Sequence, residues 1–194
     1  MAPAARIDLT NQFLIAMPGI ADDNFAGSVV YLCEHNERGA LGLVINKPID
    51  IKLKNLFEKV DLTLDREELA EQPVYYGGPV QTERGFVLHE SQGGDGGSYS
   101  STMTIPGAGL EMTTSKDVLE ALAQGAGPRK LLVTLGYSGW QAGQLEDELG
   151  RNGWLTVDAD PAIIFDTPAE QRWDRALALL GFDPRMLSQD AGHA

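Results

Sequence analysis

Cysteine is almost missing from this chain. Cys33 is the only one in 194 residues, so no intrachain disulfide can staple the fold, and a reducing compartment is the simplest setting. Basic charge is also short. Fifteen Lys and Arg against 28 Asp and Glu leave a formal charge of −13, which repels a phosphate backbone and disfavours sequence-independent nucleic-acid binding. No apolar run approaches the ~20 residues that span a bilayer. The opening segment, Met-Ala-Pro-Ala-Ala-Arg-Ile-Asp, lacks a basic region followed by an apolar core. Neither membrane insertion nor export is expected, and the cytoplasm is the expected location.

What is present describes a folded protein. Hydrophobic residues make up 43% and charged residues 22%, close to the globular average, and 194 residues are enough for one substantial core. A single domain over residues 1–194 is expected. Lys47, Lys52, Lys54 and Lys59 alternate with apolar residues and Glu58, and read as a solvated face rather than a basic patch.

Short runs rich in branched and aromatic residues, Phe13 to Met17, Val29 to Cys33 and Leu41 to Ile45, predict three strands separated by turn signals. Asp50 is placed to cap a helix whose Leu53, Leu56, Phe57 and Val60 form one apolar stripe, with a short helix after Asp65 ended by Pro73. Strands return at Val74, Phe86 to His89, Thr102 to Ile105 and Leu110 to Thr113. The tract at 91–98 is glycine-rich, lacks the Gly-Lys-Ser/Thr ending of a P-loop and reads as a mobile loop. Thr114 and Asp117 resemble a capping box for a helix through Val118 and Leu122. A strand follows at Leu131 to Leu135, and Thr167, Pro168 and Glu170 open a final helix with Trp173, Ala176, Leu177 and Leu180 on one stripe. The pattern predicts an α+β fold with a largely antiparallel or mixed sheet and helices packed against it.

The segment Gly136-Tyr-Ser-Gly-Trp140 reads as a strand-to-helix junction, with Ala142, Leu145 and Leu149 facing inward on the helix. A nucleophile elbow would need glycine two residues after Ser138, where Trp140 stands, so the match fails at its steric centre. Ser138 and Gln141 instead have the spacing of a helix cap and its partner, and free amides at such a helix start could hold a small anion. Cys33, Glu34 and His35 sit at one strand end and His89 with Glu90 at another. Cys33 and His35 should share a face of their strand, but a structural zinc site wants four ligands and no second Cys completes one. No metal or cofactor is expected. Asn46-Lys47-Pro48 closes a strand, and the tyrosines and tryptophans read as core or half-buried packing.

Phe13-Leu-Ile-Ala-Met-Pro18, Cys33-Glu-His-Asn36, Asn46-Lys-Pro48, Gly77-Gly-Pro79, Arg84-Gly-Phe86 and Gly136-Tyr-Ser-Gly-Trp140 together resemble the bacterial YqgE/AlgH family. The likeness continues through Gly143-Gln-Leu-Glu146, Asn152, Trp154, Arg172-Trp173 and the tail Ala191-Gly-His-Ala194, which makes His193 worth testing. It implies a compact cytoplasmic α+β domain carried under the label of a transcriptional regulator, through a link to alginate control. It supplies no agreed activity and no catalytic or cofactor residues. Family members do not require an acid at Glu90, and 62–72 and the Gly-rich tract look particular to this chain.

The expected role is a non-enzymatic regulatory or adaptor domain. Glu34, His35, Asn46, Lys47, Gly78, Tyr137, Ser138, Trp140 and Gln144 are the candidate surface for a protein or small-molecule partner, and a homo-oligomer is compatible with the sequence. The alternative is an enzyme or small-anion-binding protein using His35 and His89 near the Gly136–Trp140 junction. Direct DNA binding is disfavoured by the charge and by the lack of a basic recognition helix.

Overall fold

The apolar runs that read as strands are buried on both of their faces, as in Phe13 to Ala16 and Val29 to Cys33, so the sheet they form must be covered on both sides. The computed structural model describes residues 8–17, 25–91 and 99–181. Pro18, residues 92–98 and the tail with His193 lie outside them, so the loop expected there is not described.

Strands β1 (Gln12–Ala16), β2 (Val29–Asn36), β3 (Gly39–Val44) and β4 (Pro48–Lys52) precede helices α1 (Leu53–Lys59) and α2 (Glu67–Ala70). Strands β5 (Pro73–Tyr76), β6 (Val80–Glu90), β7 (Thr102–Ile105) and β8 (Leu110–Thr113) follow, then α3 (Asp117–Ala123), β9 (Leu131–Gln141), α4 (Gln144–Gly150), β10 (Trp154–Asp158), α5 (Pro161–Phe165) and α6 (Ala169–Ala178). The fold is α+β. Its curled sheet runs β10-β1-β2-β3-β9-β6-β8-β7, with β5 added to β9 and β4 to β5. Every pairing is antiparallel except β5 with β9, which is parallel.

One face of the sheet is shared by both halves. Phe13, Ile15, Tyr31 and Leu43 meet Phe86, Leu88 and Leu132 there, closed by Ile163 and Ile164 of α5 and Ala176 and Leu177 of α6. The opposite face is split. Leu145 of α4 packs with Leu14, Leu32, Val44, Trp140 and Trp154, while Leu53 and Phe57 of α1, Leu69 of α2 and Val118 and Leu122 of α3 cover Val87, Leu131 and Val133.

Several element starts differ from the sequence reading. Asp50 caps nothing: it lies within β4, and α1 begins after Lys52 with the Asn55 side chain accepting the Lys52 N–H. Extended pairing of Pro48 and Lys52 with β5 outcompetes a cap at that point. Thr114 is likewise no cap, because Asp117 turns its carboxylate to the Ser100 N–H at 2.7 Å and the Ser115 hydroxyl, tying β7 to the start of α3. The final helix starts one residue late, with Pro168 as its N-cap and the Thr167 hydroxyl donating to the Ala162 carbonyl. Strands β4 and β10 and helix α5 are additions. The α5 signal is visible in Asp160-Pro161, where Asp160 accepts the Ala162 N–H at 3.0 Å.

The tightest point is where the chain leaves β5 and enters β6. Strand β5 lies along the same edge of β9 as β3, whereas β6 pairs with the other edge, so Gly77 and Gly78 must cross β9 at Gly136 and Tyr137. A Cβ on Gly78 would stand 2.2 Å from the Tyr137 carbonyl, one on Gly77 2.2 Å from the Gly136 oxygen, and one on Gly136 2.4 Å from the Gly78 oxygen. These distances are shorter than any side chain allows, and φ at Gly78 and Gly136 is +152° and +80°. Gly78→Ala is therefore expected to cost more than about 3 kcal/mol in urea unfolding. Gly107→Ala, whose Cβ would meet open space at φ +74°, should cost only about 1 kcal/mol.

Candidate functional site

The segment Gly136–Trp140 is not a strand-to-helix junction. Strand β9 continues through it to Gln141, because Gly39–Gly42 of β3 supplies a partner: Gly42 stands opposite Ser138, Ala40 opposite Trp140 and Gly39 opposite Gln141. The amides that a helix start would have left free are in the ladder, and no anion site forms from them. Ser138 is fully buried and its hydroxyl donates to the Gly77 carbonyl at 3.0 Å, locking the crossing rather than capping a helix. Helix α4 starts further on, at the N-cap Gly143 with no side-chain cap, and the Gln144 side chain turns back to accept the Gln141 N–H at 2.9 Å. Helix α4 follows Gly143 at φ +77°. It buries Leu145 and leaves Leu149 half-buried, while Ala142 precedes the helix and is exposed.

Trp140 is 5% exposed and belongs to a packed aromatic group. Phe25 stacks on it at 5.8 Å and meets Trp154 edge-on at 5.3 Å. Both indoles donate to one oxygen of Glu148, Trp140 at 3.0 Å and Trp154 at 2.9 Å, while Gln144 donates to the other at 3.1 Å. The Glu148 carboxylate thus ties α4 to β9 and β10.

Cys33 and His35 do not share a face. The β2–β3 register shifts between Leu32 and Glu34, a bulge that inserts Cys33 and reverses the alternation beyond it. Cys33 packs with Tyr31 on the shared face, where burial pushes its thiol well above the usual range. His35 turns toward α4. Its Nδ1 accepts the Leu9 N–H at 3.0 Å, which leaves the proton on Nε2, donated to Glu146 at 3.0 Å. Glu34 is exposed and accepts from Asn36 at 3.2 Å. His89 has no exposure: its ring nitrogens engage the Glu90 carbonyl at 2.8 Å and the Thr113 hydroxyl at 2.7 Å.

His35 pairs with Ala40 and through it with Trp140, whereas His89 pairs with Leu131. Those positions are nine residue steps apart along β9, roughly 30 Å at ~3.3 Å per residue. The two histidines cannot share a cavity. Among the described residues no three His, Cys, Asp or Glu side chains group to hold a metal.

Asn46 is a clamp: its amide donates to the Gly27 carbonyl at 2.9 Å and its oxygen accepts the Val29 N–H at 2.9 Å. The Lys47 carbonyl accepts the Tyr76 N–H at 2.8 Å, and Lys47 is half-buried. Tyr137 is half-buried, its ring edge-on to Phe86 at 5.5 Å. Beside it the β6–β9 register shifts between Val80 and Gly85, and Gln81 to Arg84 bulge out exposed, with Gln81 at φ +48°. Lys52 and Lys54 both pair with Glu71, at 2.6 and 2.7 Å, and draw its carboxyl down to about 2.

A family model described as AlgH-like, DUF179, matches residues 13–185. The chain belongs to the AlgH-like family. A UPF0301 protein of Ralstonia nicotianae is 70% identical over 193 residues, covering 100% of this chain and 99% of the relative, and one of Ralstonia pickettii is 68% identical over the same shares. The solution structure of the AlgH protein from Pseudomonas aeruginosa superposes with a TM-score of 0.77 at 51% identity over 100% of both chains. A crystal structure of a Corynebacterium diphtheriae protein, at 21% identity and TM-score 0.67 over 90% of this chain and 87% of that one, shares the fold.

Two side chains central to this AlgH-like chain escape a sequence reading. Glu148 is one of several acids on an outwardly charged helix, and only the fold brings both indoles to it. Arg172 is 5% exposed: Nε donates to the Thr167 carbonyl at 2.9 Å, Nη1 to the Ile45 carbonyl, and the guanidinium lies over the Tyr75 ring at 4.9 Å. Its one signal is position, since an arginine four residues before Ala176 falls on the apolar stripe of α6. Removing the Glu148 acceptor strands two indole N–H groups. Glu148→Ala should therefore lower stability by about 3 kcal/mol and Glu148→Gln by about 1 kcal/mol, read from urea unfolding followed by tryptophan fluorescence.

Proposed function

We propose that this AlgH-like chain is a non-enzymatic regulatory or adaptor domain of the bacterial cytoplasm that acts by holding a protein or small-molecule partner. The observation that carries the reading is how the reactive side chains are used. Both ring nitrogens of His35 and of His89 are committed to structural hydrogen bonds, the Ser138 hydroxyl holds the chain crossing, and the Cys33 thiol is buried and kept protonated. A general base needs its proton acceptor in reach of a substrate, and a nucleophile needs a base beside it. The outward groups of the candidate surface are Glu34 and Gln144, with Lys47 and Tyr137 half-buried. They suit recognition better than bond-making.

Affinity capture from the native cytoplasm tests this. Glu34→Arg, Lys47→Glu and Gln144→Arg, each with wild-type melting temperature, should between them reduce recovery of a wild-type partner at least tenfold. Unchanged recovery in all three would overturn the proposed surface.

Regulation through partner contact also fits the charge of −13. A gel-shift titration of random-sequence duplex DNA from 20 mM salt upward is expected to show no retained complex. Binding that weakens steeply with salt would move the domain to the DNA-binding class.

A further inference from the structure

The buried arginine faces a cleft that nothing above uses. The cleft has a volume of about 240 Å³ and is lined by Arg172, Tyr75, Gln72, Leu131, Ile164 and Asp166, among others. We infer that it is a binding site for a small organic monocarboxylate, with the carboxylate against Arg172 and an apolar body against Leu131 and Ile164.

The charge balance carries the inference. A buried guanidinium is costly unless an anion compensates it. Here its partners are the Thr167 and Ile45 carbonyls and the Tyr75 side chain, none of which bears a formal charge; the exposed Glu170, outside the cleft lining, acts on it only through space, and among the described residues no carboxylate forms an ion pair with it. Burial accordingly holds Arg172 below the usual guanidinium range. Asp166 does not supply the missing charge, because Lys130 takes its carboxylate at 2.8 Å, so that pair is neutral as a unit. Among the described residues that line the cleft, the guanidinium is therefore the one charged group without an ion-paired partner. A single carboxylate matches it, and a guanidinium is built to donate to both oxygens of such a group. A phosphate dianion would exceed it and would meet Asp166 at the wall. The volume fixes the scale, since about 240 Å³ holds roughly ten non-hydrogen atoms. With Asp166 held by Lys130, the guanidinium, the Gln72 amide and the apolar side chains of Leu131, Leu132, Ile164 and Phe165 favour a compact acid with an apolar body over a highly polar one. None of Glu34, Lys47 and Gln144 lines this cleft.

Benzoate is the probe, added to the full-length, isotope-labelled chain, with benzyl alcohol as its neutral counterpart and inorganic phosphate as the dianion. Benzoate should shift the Arg172 side-chain Nε–H resonance and the Gln72 and Thr167 amides saturably, at least tenfold more tightly than benzyl alcohol or phosphate. Gln72→Trp, at the exposed rim, should abolish the shifts by filling the cleft, and Arg172→Lys should weaken binding at least tenfold. If Arg172→Lys does not fold, Gln72→Trp and the benzyl alcohol comparison still decide. Benzoate no tighter than benzyl alcohol, tighter binding of phosphate at these residues, or benzoate shifts that survive Gln72→Trp would each overturn the assignment.

Discussion

The fold depends on one steric constraint: two stretches of backbone pass each other with no room for a single methyl group. Where Gly77 and Gly78 cross β9, the space a Cβ would need is already filled by the carbonyls of Gly136 and Tyr137, and the reverse holds at Gly136. The contact is bonded as well as close. Gly77 donates to Leu135 at 2.9 Å and its carbonyl accepts both the Val44 N–H at 2.9 Å and the Ser138 hydroxyl at 3.0 Å. Because the crossing switches the chain from one edge of β9 to the other, it allows a single strand to serve β3, β5 and β6 at once. The shared apolar face, continuous from Phe13 to Leu132, follows from that.

What the sequence discloses here depends on the range of the deciding interaction. Strand segments and the amphipathic α6 were legible, because an apolar run or a 3.6-residue stripe reports its own burial. The resemblance to the AlgH family was legible too, and the α+β architecture with it. Local caps at Asp50 and Thr114 were misplaced because each competed with a distant partner, a β5 pairing in one case and the β7 end in the other. The largest displacement was at Gly136–Gln141, where serine, glycine and glutamine spacing suits a helix start equally well. Strand β3 settled the matter from about a hundred residues away in the chain. The bulge at Cys33 was invisible for the same reason: nothing in Leu-Cys-Glu-His marks a shift in register.

The candidate surface divides along the same line. Ser138, Gly78, Asn46 and Trp140 were singled out as residue types suited to ligands, and each has a structural duty: a locked crossing, a close backbone approach, a loop clamp, a packed indole. Glu34 and Gln144 keep the outward position that contact needs. Of the polar groups with the most demanding environments, Glu148 beneath two indoles carries no signal of its own and Arg172 beneath Tyr75 stands out only within the family likeness, because the fold alone brings α4, β9 and β10 to the one and Thr167, Ile45 and Tyr75 to the other.

The pairing of β1 with β10 has a consequence for synthesis. Gln12 and Asp158 are bonded across 146 residues, and β10 supplies the outer neighbour of the first strand. During translation β1 to β3 emerge early, yet one side of this group must wait for β10 and the other for β9. Contacts of such long sequence separation slow the search and leave strand edges open meanwhile. The β1–β3 segment is thus a sheet fragment whose β3 edge stays bare until β9 is made and whose β1 edge stays bare until β10, after more than three quarters of the chain, and its safe maturation becomes a question of what shields those edges in the interval.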